Sequence, residues 1–231
     1  MLASTADNTG MAFTPFGKSR LSRGFANPKR YTQLSTGEKM KEKAEKVKIQ
    51  NIIDMAISFS AMGRVFEKGS TEKIKAKLEN CIGDFLNLST KEEYHEKHKE
   101  FCEWFTGTIK TAERKKDGRI IKKSQYASWG QATKVIDIAL KVCVYYCNLP
   151  SAEVSSKIIP WLNGAIDTPI LGDFKKRYNS LIISQTSTIE NIDKVKYEEL
   201  QKMIRTDIEK SFNGEIFPVQ YDDIKWRELN R

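Results

Sequence analysis

Histidine occurs only twice in the 231 residues, cysteine four times, proline six and glycine thirteen. Each scarcity excludes something. The two histidines, His95 and His98, supply no spacing for a Ser/His/Asp or Cys/His/Asn catalytic system. Only Cys102, four residues after His98, sets a thiol near either of them. Four cysteines do not make a disulfide framework in a chain of this length. Cys143 and Cys147 are four apart in one expected helix, where disulfide geometry is out of reach. Little proline and glycine excludes a collagenous or linker-like chain. No stretch approaches the roughly 20 apolar residues that a membrane span requires. No charged start followed by an apolar run predicts a secretory leader. The phosphate-cradling patterns GxGxxG and GxxxxGK followed by Ser or Thr are absent, which disfavours nucleotide-fuelled chemistry.

What is present is charge, unevenly spread. The formal net charge is +9, with 30% charged and 39% hydrophobic residues, so most of the chain should fold. Residues 1–50 hold ten Lys/Arg against four acids, and residues 101–150 nine against four. The other segments are near neutral. A localised excess points to a polyanionic partner more strongly than an even one.

Residues 1–34 have neither helical nor strand periodicity and read as an extended arm. The arm interleaves bases (Lys18, Arg20, Arg23, Lys29, Arg30) with aromatics (Phe13, Phe16, Phe25, Tyr31), and its single acid is Asp7. Bases can take phosphates while aromatics stack on nucleobases. The same composition occurs in mitochondrial transit peptides; the reading favoured here is a reducing cytoplasmic setting.

Residues 35–231 read as one mainly α-helical domain. Ser35 with Glu38 forms a capping-box pattern for a helix from about Thr36 to Phe66, wet in its first half and apolar in its second. A second helix is expected over Thr71–Leu86 and a third after Ser89–Thr90, with the stripe Tyr94, His98, Phe101, Cys102, Phe105 and Ile109. The next stretch, Lys110 to Lys123, holds seven bases and two acids around the turn signal Asp117–Gly118, so at most a small β-hairpin is expected. A central helix over about Ser128–Asn148 is apolar almost all round, with Asp137 and Lys141 expected to neutralise each other at its edge. Helices follow at about Ala152–Asn163, Pro169–Ser180 and Lys194–Phe212. Thr168–Pro169 suits a helix start, Ile182–Ile192 is ambiguous, and Glu215–Arg231 reads as a packed extended piece ending in a turn of helix.

Chemistry is harder to find. His98, Cys102, Cys143 and Cys147 could be a Cys₃His zinc set, but the two helical pairs would be offset by roughly 10 Å along their axes at ~1.5 Å per residue. No metal or cofactor is expected. Asp167 with Asp173-Phe-Lys175, or Asp223-Ile-Lys225, only loosely follows a nuclease-like carboxylate and lysine pattern. The basic elements remain. Arg114, Lys115, Lys116, Arg119, Lys122 and Lys123 surround a turn too charged to be buried, and with the arm they form the expected nucleic-acid contact, directed at the backbone rather than at base sequence. The function expected is therefore a non-catalytic, nucleic-acid-associated subunit of a larger nucleoprotein assembly, with other protein subunits as partners. The alternatives are a scaffold subunit whose arm docks on a neighbouring protein, and a small nuclease-like effector enzyme.

Overall fold

The structure, a computed structural model, describes residues 36–85, 87–178 and 188–230. The arm residues 1–34, the Ser35 cap, Leu86 and residues 179–187 of the ambiguous stretch lie outside the described residues. Within them the protein is mainly helical, with eight α-helices and one two-stranded sheet.

The first helix, α1, runs over Thr36–Ser60 and ends six residues before the expected Phe66. Ser60 explains the stop. Its hydroxyl donates to the Ile57 carbonyl at 2.7 Å and accepts from the Met62 amide at 3.3 Å, while Ala61 turns left-handed at φ 54°. The charged half of α1 is exposed at every residue from Gly37 to Lys48. Burial begins with Ile52, Ile53, Ala56 and Ile57. The helix thus stands out from the body before joining it, as the switch in its polarity predicts.

Two further helices follow, α2 (Ser70–Phe85) and α3 (Lys91–Thr108). α3 is started by a capping box of Thr90 with Glu93: the Glu93 amide donates to Thr90 Oγ1 at 3.1 Å and the Thr90 amide to Glu93 Oε2 at 3.2 Å. The expected α3 stripe is buried throughout.

Strands β1 (Arg114–Lys116) and β2 (Arg119–Lys122) form the small antiparallel hairpin. Then comes α4 (Trp129–Leu140), started by a Ser128–Gln131 capping box. It meets α1, α2 and α3, which is why it can be apolar on nearly every side. The expected single helix to Asn148 changes character: Lys141–Tyr146 is a π-helical turn, and Asn148 leaves it at φ 51°.

The rest is α5 (Ala152–Ile158), α6 (Thr168–Arg177), α7 (Lys194–Phe212) and α8 (Pro218–Leu229). Pro160 confines the extension of α5 to one tight turn at Ile159–Trp161. The cap of α6 is Asp167, one residue earlier than the Thr168 expected; its Oδ1 accepts from the Ile170 amide at 3.1 Å. The extended C-terminal piece expected after Glu215 is instead α8, begun by Pro218 and by the Phe217 amide donating to Gln220 Oε1 at 2.8 Å.

Buried apolar residues gather in two clusters. One lies among α1 to α5, the other among α6, α7 and Tyr221 of α8. Trp129, on the first turn of α4, packs against both.

Candidate nucleic-acid interface

The hairpin is built by its turn. Asp117 and Gly118 both have positive φ, 51° and 75°, and Lys116 pairs with Arg119, so two residues close the ribbon. A two-residue turn with both φ values positive matches the twist of the strands, and Asp-Gly is a favoured pair for it. Between Arg114 and Lys115 the register shifts: their partners are Lys122 and Ile120, so Ile121 is the extra residue and the bulge lies in β2.

The ribbon is anchored only at its root. The Glu67 amide donates to the Lys110 carbonyl at 3.0 Å, Ala112 to Val65 at 2.8 Å, and Ala127 to Ile109 at 2.9 Å. The Ser124 hydroxyl bonds Glu67, and Lys122 forms an ion pair with Glu190 far along the chain. Every residue from Glu113 to Ile121 is exposed.

All six basic residues expected here are brought together on this ribbon or beside it, but they are not equivalent. Lys115 is paired with Glu113 at 3.2 Å and Lys122 with Glu190. Arg114, Lys116, Arg119 and Lys123 have no acidic or hydrogen-bonding side-chain partner among the described residues. Lys110 lies over the exposed Tyr126 ring, 5.0 Å from its centre. Ile120 and Ile121, 51% and 62% exposed, give the ribbon an apolar element that its charge pattern alone does not reveal. The arm residues Lys18, Arg20, Arg23, Lys29, Arg30, Phe13, Phe16, Phe25 and Tyr31 lie outside the described residues.

Two other polar clusters overturn the expected Asp137–Lys141 pair. Asp137 points into the core. Its Oδ1 lies 2.8 Å from His98 Nε2, and its Oδ2 accepts from the Tyr197 hydroxyl at 2.8 Å. Cys102 Sγ is 3.9 Å from the other ring nitrogen. Burial disfavours an imidazolium here, but the Asp137 carboxylate, with the Cys102 sulfur as a hydrogen-bond partner, more than offsets it and pushes the His98 pKa up to about 10. Burial also raises the Cys102 thiol, so at neutral pH the sulfur is uncharged and the carboxylate supplies the attraction. The order Cys–His–Asp resembles a nucleophile triad, yet Cys102 and Asp137 are 0% and 2% exposed. A thiol that no substrate reaches and that burial keeps protonated is a core group, not a nucleophile.

Lys141, on the π turn, is engaged instead by Asp222 at 2.8 Å and Asp223 at 2.5 Å on α8. The Tyr146 hydroxyl donates to Asp223 at 2.6 Å. Burial pushes the Asp222 carboxyl up to about 6 against the pull of Lys141.

The nuclease-like patterns do not assemble. Asp173 is paired with Arg177, Asp167 caps α6, and Lys225 pairs with Glu228. Among the described residues no group of three or more His, Cys, Asp or Glu is arranged to hold a metal ion. No helix described is long and apolar enough to cross a membrane.

No family model, no curated protein and no solved structure matches the chain.

Proposed function

We propose that the chain is a non-catalytic, nucleic-acid-associated subunit of a larger assembly, and that it touches the phosphate backbone through the β1–β2 ribbon and the N-terminal arm. One observation carries the reading: four cations, Arg114, Lys116, Arg119 and Lys123, stand exposed on or beside a ribbon pinned at its root, with no ion-pair partner among the described residues. Unpaired, solvated cations can exchange their counterion atmosphere for phosphates without breaking an internal ion pair. A two-stranded ribbon also has the width to enter a major groove. Free cysteines among the described residues support a reducing, cytoplasmic setting.

The exposed Ile120 and Ile121 favour one second reading, in which the ribbon faces an acidic protein surface with an apolar centre. Fluorescence anisotropy with a labelled duplex across a salt series separates the two. Changing Arg114, Lys116, Arg119 and Lys123 to Ala should flatten the slope of log K against log salt by about 0.9 for each phosphate no longer neutralised. Changing Lys115 and Lys122 alone should matter less, because acids already hold them. If the unaltered protein binds neither duplex nor single strands at low salt, the nucleic-acid reading falls and the protein-docking reading stands.

A further inference from the structure

A cavity of about 770 Å³ opens between the end of α1, one face of α4 and its π turn, the loop before α6, and α8. Its volume is that of a small-molecule site. Along α4 and into its π turn the residues Lys134, Ile138 and Val142 face it at helical spacing. Across from them stand Met55, Phe59 and Trp226, which are 37%, 58% and 48% exposed. Three large apolar side chains left in water around one opening are a cost that a ligand would relieve.

The head group of that ligand follows from which charges are already engaged. Three cations and three carboxylates line the cavity, so formal charge alone decides nothing. Lys141 is held by Asp222 and Asp223, and those two carboxylates by it. Asp167 holds the Ile170 amide at the start of α6. Lys134 and Arg227 remain, and neither has a hydrogen-bond or ion-pair partner among the described residues. Lys134 is half-buried, with Asp167 and Asp222 within electrostatic reach but not in contact. A half-buried ammonium with its donors unused lacks an acceptor.

We propose that this cavity binds a small organic anion, a carboxylate carried on an aromatic body, with its head group on Lys134 and its ring between Trp226, Phe59 and Ile138. The site is separate from the basic ribbon and does not rest on the nucleic-acid reading.

The test is isothermal titration calorimetry of the full chain with three probes sharing one body: naphthylacetate, naphthylethanol and naphthylethylamine. The carboxylate should bind about ten-fold or more tighter than the alcohol, the scale of a charge-assisted hydrogen bond, and the amine weakest. Lys134→Met should erase the preference for the carboxylate while leaving the alcohol unchanged, and Lys134→Arg should keep it. The proposal is overturned if no probe binds, if the amine equals or exceeds the carboxylate, or if Lys134→Met keeps the preference. Should circular dichroism show that Lys134→Met fails to fold, the ranking of the three probes on the unaltered protein and on Lys134→Arg decides.

Discussion

At the scale of single residues, the polar core is organised by partners that are distant in sequence. His98 and Asp137 are 39 residues apart, and Lys141 and Asp222 are 81 apart. The sequence places Asp137 and Lys141 one helical turn from each other and invites their pairing, but each is engaged by another element, Asp137 by His98 and Tyr197 and Lys141 by Asp222 and Asp223. The His98 pair gives a pH dependence with a definite sign. Folding raises this pKa, so the stabilisation is present in full below the ordinary value of 6.5 and is lost as pH rises through about 10. Between pH 7 and 10 the melting temperature of the unaltered protein should therefore fall more steeply than that of His98→Gln, measured side by side. Lys141 tests the second cluster. Its side chain is 12% exposed and that of Asp222 5%, so Lys141→Met leaves a carboxylate buried without its cation. The expected loss is about 3 kcal/mol in urea unfolding; without the pull of Lys141 the Asp222 carboxyl takes up its proton at a pH above 6, and lowering the pH should recover part of the loss.

At the scale of elements, helices with a regular stripe and a cap were legible. α3 announces itself through Thr90, Glu93 and apolar residues every three or four positions; α7 does so through Leu200, Ile204 and Ile208, with Asn213–Gly214 to stop it. The hairpin was legible from Asp117–Gly118. α8 was not, because the buried Asp222 sits on its inner face beside Val219 and Tyr221 and breaks the apolar pattern. Nor was the cavity, whose walls come from four separate parts of the chain. One approach between elements is tight enough to test. Gly130 donates its amide to the Ile192 carbonyl at 2.9 Å, and a Cβ placed there would lie 2.3 Å from the Ile189 carbonyl oxygen. Backbone cannot step aside as a side-chain tip can. Gly130→Ala should therefore cost about 1–3 kcal/mol in chemical unfolding. The same turn carries Glu190, the partner of Lys122, so the substitution should also disturb the root of the ribbon.

At the scale of the whole molecule, packing is densest where α4 meets its neighbours and thinnest where α1 leaves the body. Every residue from Gly37 to Lys48 is exposed, and the Lys48–Glu45 ion pair on that stretch is an exposed one. A solvent-exposed helical stretch of that length is marginal in water. The chain should consequently exchange its amide hydrogens on two clocks. Amides of residues 40–48 open by local fraying, and deuterium should replace them within seconds to minutes. Those of Val135 to Leu140, enclosed on nearly every side, open only when the whole fold does, and should persist orders of magnitude longer. Exchange followed by mass spectrometry reads both at once. A partner that seats on the exposed half of α1 would slow the first clock and leave the second untouched.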